Sequence, residues 1–384
     1  MTFKRKAPTI LIITVIIAVL SISIVSSRIS TNLVTAAEEG QFSIMSNIVR
    51  SKIKNAEDRA AARTEIISMS PEVKAAFAAR DRDKLYAITK DIYRVQAEKY
   101  GINQAHFHEA PAVSFLRINK PEVFGDDISS FRQIVVDVNR NLMLRKGVNV
   151  TRSGPAVMAV LPMTDKDGKP IGSFEMGSDF GPILDDLKTT YGFEMALFID
   201  EKLLHNVMDF VGAEVFNDRN RLGKYLKFYS THAELLRQLI NEKDILISED
   251  SHYLRDASGI PYGVLLQPLY DYAGKQIGVI MTANNFSATR AAAGQAFIWQ
   301  SLLALSAIVL LAGIIIIVLR GLLLQPLALI SERLNILLFT SERPRPIIDQ
   351  AYLCEELQEL LTIYEKLRRL RKKSETHNTP PRAD

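Results

Sequence analysis

The chain has 384 residues, of which 47% are hydrophobic, and its 47 basic and 43 acidic side chains leave a formal net charge of +4. A single cysteine, Cys354, excludes a fold that is held together by intrachain disulfides. The small net charge, and the lack of a basic stretch interleaved with aromatic residues, exclude nucleic acid as an expected partner.

Two long uncharged segments predict helices that cross a membrane. They cover residues 7–27 and 291–319, and each suffices for the roughly 20 apolar residues that span a hydrocarbon core. We place the first transmembrane helix at residues 8–27 and the second at residues 295–319. A cleaved signal peptide is the alternative for the first segment, but its apolar run exceeds the roughly 7 to 15 residues of a signal-peptide core.

Basic residues around the two segments predict their orientation. A Lys-Arg-Lys run at residues 4–6 precedes the first segment, and Arg320 and the cluster at residues 366–373 follow the second. Because such charges accumulate on the cytoplasmic side, we expect residues 1–7 and the C-terminal part in the cytoplasm. Residues 28–290 would then lie in the periplasm, outside the inner membrane.

Residues 28–100 predict a helical stalk, because apolar residues recur there at helical spacing. These residues are Phe42, Met45, Ile48, Val49, Ile53, Leu85, Ile88, Ile92 and Val95. Pro71 fits the first turn of a new helix, so we expect the stalk to break near Met69.

Short runs typical of β-strands follow the stalk. They cover residues 104–109, 113–118, 156–162, 194–199, 244–248 and 262–268. After the second run, a helix is predicted to begin at Asp126 or Asp127 and to carry Phe131, Ile134, Val135 and Val138 inward.

An internal repeat indicates two related modules. Residues 161–180 and 267–286 share seven identical residues at the same offset: Pro162/Pro268, Asp165/Asp271, Gly168/Gly274, Lys169/Lys275, Ile171/Ile277, Gly172/Gly278 and Phe180/Phe286. Each copy has two apolar runs around an Asp-x-x-Gly-Lys turn, which predicts a β-hairpin. Turn chemistry alone selects Asp and Gly, but it does not require the Pro, Ile-Gly and Phe pairs. We therefore interpret the repeat as a duplication.

A helical stalk, two sheet modules and a return into a second span resemble the double Cache extracytoplasmic sensors of bacterial chemoreceptors and sensor kinases. The first module carries the segments FH at 107–108, SFLR at 114–117, KPE at 120–122, FGDDISSFR at 124–132 and VDVN at 136–139. They are similar to the signature of one subgroup found ahead of methyl-accepting domains.

The resemblance implies a membrane-anchored α+β protein with PAS-like sheets flanked by helices. A membrane-distal module would cover residues 101–185 and a membrane-proximal module residues 186–290. It also implies a small-molecule pocket in one module, and signalling by piston-like or rotational movement of the spans.

Side chains of the first module suit a polar ligand. Residues two apart on a strand share one face, so His106 should lie beside His108, and Phe115 beside Arg117. Two arginines and two imidazoles near one sheet could bind a carboxylate through charge-assisted hydrogen bonds. The candidate ligand-binding residues are His106, His108, Phe115, Arg117, Asp126, Asp127, Phe131 and Arg132.

Other interpretations of these residues stay open. Arg117 could pair with Asp126 or Asp127 to fasten the loop at residues 120–125, and the histidines could be ordinary strand residues. A metal is less favoured, because Glu109 faces away from the histidines and strand spacing gives no third ligand. The subgroup carries Glu and Arg where this chain has Asn149 and Met158, so the resemblance implies that a charge pair is missing and that the pocket is altered or idle.

Catalysis is not expected. The sequence contains no His-Glu-x-x-His, Gly-x-Ser-x-Gly or P-loop motif. The run at residues 165–168 lacks the further acids of an EF-hand loop, so we interpret it as a turn. No cofactor is predicted. An exported hydrolase that uses His106 or His108 with an acid is the enzymatic alternative.

Residues 320–373 resemble a HAMP-like pair of helices. Leu327, Ile330, Leu334 and Leu337 form one apolar seam, and Leu353, Leu357, Leu360, Tyr364 and Leu367 form a second. Two such helices per chain predict a four-helix bundle in a homodimer. The linker at residues 340–350 contains Arg-Pro-Arg-Pro instead of glycine, so a plain coiled coil is the alternative. Residues 374–384 are polar and predicted to be disordered.

The predicted function is that of a transmembrane receptor subunit. It would bind a small solute outside the cell and shift a helical bundle inside, where a separate signalling protein would respond, since no kinase, cyclase or methyl-accepting rod follows in this sequence. A tether in the cell envelope that binds a solute or a protein without signalling is the alternative.

Overall fold

A computed structural model describes residues 3–207, 215–339 and 355–377. Its contacts define two compact units: Thr35–Arg290 is one, and Met1–Val34 together with Ala291–Asp384 is the other. The linker predicted at residues 340–350, Leu353, Cys354 and residues 378–384 lie outside the described residues.

In the residues that the structure describes, helices alternate with strands only within the first unit, and the fold is mixed α and β as predicted. The described helices are α1 (Phe3–Ser68), α2 (Pro71–Ala78), α3 (Arg82–Tyr100), α4 (Gln133–Asn141), α5 (Gly181–Tyr191), α6 (Glu201–Val207), α7 (Ala233–Leu239), α8 (Ser287–Val318), α9 (Gln325–Phe339) and α10 (Glu355–His377).

The strands form two sheets. The first contains β1 (Ile102–Glu109), β2 (Val113–Arg117), β3 (Arg145–Thr151), β4 (Gly154–Thr164) and β5 (Pro170–Asp179). The second contains β6 (Glu194–Asp200), β7 (Arg221–Leu222), β8 (Tyr225–Ser230), β9 (Ser251–Ala257), β10 (Ile260–Tyr270) and β11 (Gln276–Asn285).

The N-terminal helix is long and breaks where the sequence predicts. α1 ends at Ser68, and Pro71 lies in the first turn of α2. A second break, which the sequence analysis did not predict, follows α2: Arg80 has a left-handed φ of 56°, and the Asp81 carboxylate caps α3 by accepting from the Lys84 amide at 3.0 Å.

The two sheets have the same strand order. The first reads β2-β1-β5-β4-β3, and the second reads β8-β6-β11-β10-β9 with the short β7 added at one edge. The two hairpins also share their register. Ala156 pairs with Asp179 in the first, and Tyr262 and Asn285, which stand at the equivalent positions, pair in the second. The predicted duplication is therefore confirmed at the level of topology.

The two hairpin turns are also built alike. The Asp165 carboxylate accepts from the amides of residues 167 and 169, and the Asp271 carboxylate accepts from those of residues 273 and 275, each at 2.9 Å. Gly168 and Gly274 both have a φ of 80°, a conformation that glycine adopts without a steric cost. Asp-x-x-Gly-Lys is thus a true turn signal in both copies.

A shared core joins the two modules within Thr35–Arg290. It contains Val148 and Val157 from the first sheet, Leu197 and Leu265 from the second, and Met45 from α1. The outer face of the first sheet packs against α2 and α3, and its opposite face packs against α4. The site lies on the α4 side.

One predicted strand is wrong. Residues 244 and 245 end a turn and residues 246–248 follow it as a loop. The Asp244 carboxylate accepts from the Asn241 amide at 2.8 Å and from the Arg255 guanidinium at 2.7 Å. The apolar Ile245 is buried in that turn. The strand of this region is β9, which, like β3 and β8, the sequence analysis did not predict.

The second unit is helical in the residues described. α8 continues through a π-helical segment, Leu319–Leu324, into α9, and this wider turn precedes Pro326, which has no amide to donate. Two helical stretches, Pro8–Ser68 and Ser287–Leu338, include windows long and apolar enough to cross a membrane. Ile330 of α9 packs against Leu357 and Leu361 of α10.

The predicted seam of α10 is divided in the single chain between a face against α9 and an exposed face. Leu361 and Tyr364 are buried with Leu357, whereas Leu360 and Leu367 remain 42% and 40% exposed. α10 also continues to His377, so the first four residues of the tail predicted to be disordered are helical.

Candidate functional site

A buried polar cluster lies between β1 and β5 of the first sheet. In the antiparallel register His106 is opposite Glu175, and His108 is opposite Ser173. The four side chains point to the face that α4 covers, and all four residues are at most 5% exposed. The predicted pairing of the two histidines on one face is found, with ring centroids 4.0 Å apart.

Each imidazole has one ring nitrogen beside a serine and the other toward Glu175. His106 Nε2 lies 2.7 Å from Ser114 Oγ, and His108 Nδ1 lies 3.3 Å from Ser173 Oγ. His106 Nδ1 and His108 Nε2 each lie 3.8 Å from a Glu175 carboxylate oxygen. Among the described residues, His108 Nε2 has no hydrogen-bond partner.

Arg132, the residue that precedes α4, contacts the cluster. Its guanidinium donates to Glu175 Oε2 and lies 3.2 Å from Met158 Sδ. The Met158 thioether thus provides a second contact to the arginine. Arg132 Nε is buried, and within the described ranges it has no acceptor.

Burial and neighbouring charge set the protonation of the cluster. Burial lowers the pKa of His106 and His108 well below the ordinary histidine value, and the nearby arginines lower it further. Burial raises the pKa of the Glu175 carboxyl, and the Arg132 guanidinium opposes that shift. The imidazoles are therefore neutral at neutral pH.

A cavity of about 580 Å³ opens beside the cluster. His106, Arg132 and Glu175 form part of its lining, and Arg117, Lys120 and Arg152 add three further positive charges. Phe131 contributes an apolar wall, and the Arg152 guanidinium lies 4.6 Å from the centre of its ring. The cavity therefore combines an apolar wall with an excess of positive charge.

Arg117 is engaged with the loop, as one of the alternative interpretations held. Its guanidinium donates to the two Asp126 oxygens at 2.7 and 2.8 Å and to the Val123 carbonyl at 2.8 Å. This hydrogen bonding lowers the pKa of the Asp126 carboxyl. Arg152 lies 3.6 Å from the same carboxylate. Asp126 thus positions two of the arginines that line the cavity.

Three geometric expectations about the site are wrong. A β-bulge shifts the register of β1 and β2 after Phe107, so Phe115 packs on the opposite face from Arg117 and contacts Phe77, with ring centroids 5.2 Å apart. Asp127, a candidate ligand-binding residue, is instead exposed, and its carboxylate accepts a hydrogen bond from the Ser129 amide. α4 begins at Gln133, because residues 129–131 form a turn before it.

Sequence reasoning missed Glu175, Ser114 and Ser173. The bulge hides Ser114, since simple alternation from Arg117 assigns it to the other face. The internal repeat could have found Glu175, because this acid occupies the position of the apolar Met281. Glu175 also supplies the third candidate metal ligand that strand spacing within β1 did not.

The sequence model of one protein family matches residues 36–289: dCache_3, described as a double sensory domain of two-component sensor kinases. The chain belongs to this double Cache family. The family resemblance inferred from the sequence is thereby confirmed, and the family is one of extracytoplasmic sensory domains. Two apolar helical stretches flank the matched region. A comparison with curated proteins finds no match.

Solved structures similar to the chain include sensor domains of two bacteria. One is the periplasmic domain of Vibrio cholerae LuxQ, with 8% identity, a TM-score of 0.41, and coverage of 62% of this chain and 97% of that one. Another is the ligand-binding domain of the Campylobacter jejuni chemoreceptor Tlp3 in complex with L-norvaline, with 10% identity, a TM-score of 0.41, and coverage of 67% and 94%. Family membership rests on the match over residues 36–289.

Proposed function

We propose that the chain is a receptor subunit of the inner membrane that binds a small carboxylate in the first module. The cavity beside His106 carries this proposal, because Arg117, Lys120, Arg132 and Arg152 bring four positive charges to its lining, against the one carboxylate of Glu175. Guanidinium groups bind carboxylates through paired, charge-assisted hydrogen bonds. A double Cache domain with such a lining is suited to an organic acid or an amino acid.

The same proposal places residues 28–290 in the periplasm and both termini in the cytoplasm. The apolar stretches on both sides of the sensory domain and the basic residues that flank them support this topology. The helices after the second stretch would relay the signal as a HAMP-like segment to a separate cytoplasmic protein. No catalytic step is part of the proposal.

An exposed apolar stripe on α10 supports assembly as a homodimer. Leu360, Ile363, Leu367 and Leu370 are 42%, 54%, 40% and 58% exposed, and they recur at 3-4-3 spacing. Such a stripe is typical of a helix that packs against another helix. Because α9 already covers a different face of α10, the stripe is suited to a second copy of the chain in a four-helix bundle.

Calorimetric titration of the full chain in detergent tests the ligand class. We expect one or more members of a panel of small carboxylates and amino acids to bind, and the matched amides and amines not to. Lys120 lies exposed at the edge of the cavity, so Lys120→Glu should weaken binding about tenfold, which equals roughly 1.4 kcal/mol. Lys166→Glu, on the hairpin turn, is the matched control. Equal effects of the two variants would contradict the cavity assignment.

Disulfide cross-linking in membranes separates a relay from a tether. In a Cys354→Ser background, Ile363→Cys should cross-link two copies, and the carboxylate that binds in calorimetry should change the yield at least about twofold, because a relay moves this helix. Arg369→Cys lies on the other side of α10 and should cross-link weakly. Strong cross-linking at residue 363 that no bound carboxylate alters would favour the tether.

A further inference from the structure

The His106, His108 and Glu175 side chains, together with the serines behind them, form the arrangement of a metal centre. One ligand atom from each of the three side chains lies within 4.8 Å of the other two. Two neutral imidazoles and a carboxylate are the donor set of many zinc sites that keep an open coordination position. We propose that this cluster binds an exchangeable divalent transition metal, of which Zn²⁺ is the representative.

The imidazoles are already oriented for this role. Ser114 Oγ lies beside Nε2 of His106 and Ser173 Oγ beside Nδ1 of His108, which leaves His106 Nδ1 and His108 Nε2 facing the carboxylate. Metal-binding histidines commonly donate their other ring N–H to a neighbouring acceptor, which fixes the tautomer and the ring orientation. Both serines are at most 1% exposed, so their positions are set by packing.

His108 gives the independent indication of a ligand. Its side chain is fully buried, and its Nε2 atom has no hydrogen-bond partner among the described residues. A buried polar atom without a partner is costly, and a metal ion between His108 and Glu175 would supply that partner. Bonds of about 2.0–2.2 Å to the metal require ligand atoms roughly 3.4 Å apart. The observed separations are 3.8 Å from each imidazole to a different Glu175 oxygen, and the three ligand atoms together lie within 4.8 Å of one another. Metal binding would therefore draw the ligands closer by up to about 1.4 Å.

Arg132 is the cation that the metal would replace. Its guanidinium contacts Glu175 Oε2 and Met158, so it neutralises the buried carboxylate when no metal is bound. A dication and a guanidinium repel each other at this distance. Metal binding would therefore move Arg132 away from Glu175, into the cavity that it already lines. The metal centre and the cavity would be coupled through this one side chain.

Metal titration of the purified full chain, without an affinity tag that contains histidine, tests the site. After removal of metal with a chelator, Co²⁺ should bind one ion per chain with the absorption of a low-coordinate nitrogen and oxygen site, and Zn²⁺ should displace it. His108→Ala should weaken binding at least about a hundredfold. Ser173→Ala, which removes only the group behind His108, should weaken it about tenfold.

His232→Ala is the matched control, since His232 also lies near a carboxylate, 3.7 Å from Glu194, but is 52% exposed. It should leave the buried site unchanged. Loss of Co²⁺ binding in His232→Ala with retention in His108→Ala would overturn the proposal, as would binding that neither variant affects.

A folded Arg132→Met protein provides a second test that does not depend on His108→Ala. Because it removes the competing cation, it should tighten Zn²⁺ binding at least about tenfold relative to the unaltered chain. Unchanged or weaker binding in a folded Arg132→Met protein would contradict the proposed exchange. No organic ligand enters this experiment, so its outcome is independent of the carboxylate titration.

Discussion

The two modules of the sensory domain place very different residues at equivalent positions. In the first, His106 pairs across the strands with Glu175, and in the second the equivalent pair is Ala196 and Met281. His108 and Ser173 correspond in the same way to Phe198 and Val279. The cluster that is polar in one copy is thus an apolar core in the other.

This difference shows what the fold requires. The second module builds the same strand order from alanine, phenylalanine, valine and methionine, all buried in one cluster. The polar residues of the first module are therefore not needed to form the sheet. Burial of charged and polar groups costs free energy that apolar residues avoid, so the polar set is best explained by a function that is confined to the first module.

Glu175→Met tests this comparison with the largest expected effect. The variant places the residue of the second module into the first and leaves the buried Arg132 guanidinium without its carboxylate. Breaking such a pair should destabilise the first module by about 3–5 kcal/mol. Hydrogen exchange of β1 and β5 peptides in the full chain measures the loss, and peptides from β6 and β11 serve as the internal reference.

The double variant Arg132→Met, Glu175→Met sharpens that result. It replaces both charges with apolar side chains, and it should recover most of the lost stability because apolar replacements of buried ion pairs are often neutral or better. A double variant as unstable as Glu175→Met would show that the first module depends on these polar residues for its fold, which would contradict the comparison.

Local signals made much of the fold predictable. The helix break at Pro71 and both hairpins follow from residues that act within a few positions of themselves. The repeat then gave the relation between the modules, because the Pro, Ile-Gly and Phe pairs lie outside any turn requirement. By contrast, β3 has the sequence Arg-Lys-Gly-Val-Asn-Val-Thr, with little apolar alternation to reveal it.

The site was harder to predict, because it depends on pairing between strands distant in sequence. His106 and His108 were found from spacing along one strand, but Glu175 comes from a strand about 70 residues later and meets them only through sheet register. Phe115 was assigned to the wrong face because a bulge adds one residue to β2. Neither the register nor the bulge leaves a local pattern in the sequence.

Two glycines at equivalent positions of the repeat test the duplication in both modules, with a smaller expected loss of stability. A Cβ atom at Gly172 would lie 2.1 Å from the His108 carbonyl oxygen, and one at Gly278 would lie 2.2 Å from the Phe198 carbonyl oxygen. Alanine at either position should therefore push two paired strands apart and cost about 1–3 kcal/mol. Hydrogen exchange should show the loss in β1 and β5 for Gly172→Ala, and in β6 and β11 for Gly278→Ala.

The two alanine variants should lose different amounts of stability, because Gly172 of the first module is more constrained than Gly278. Gly172 has a φ of 135° and would also meet the Phe77 ring at 2.9 Å, so Gly172→Ala should be the more destabilising of the pair. Gly40→Ala, in α1 with no atom within 4 Å of the added carbon, should be neutral or slightly stabilising. If Gly278→Ala were harmless while Gly172→Ala unfolded the first module, the close approach of the two strands would matter in only one copy. The common register would then not reflect a common packing requirement.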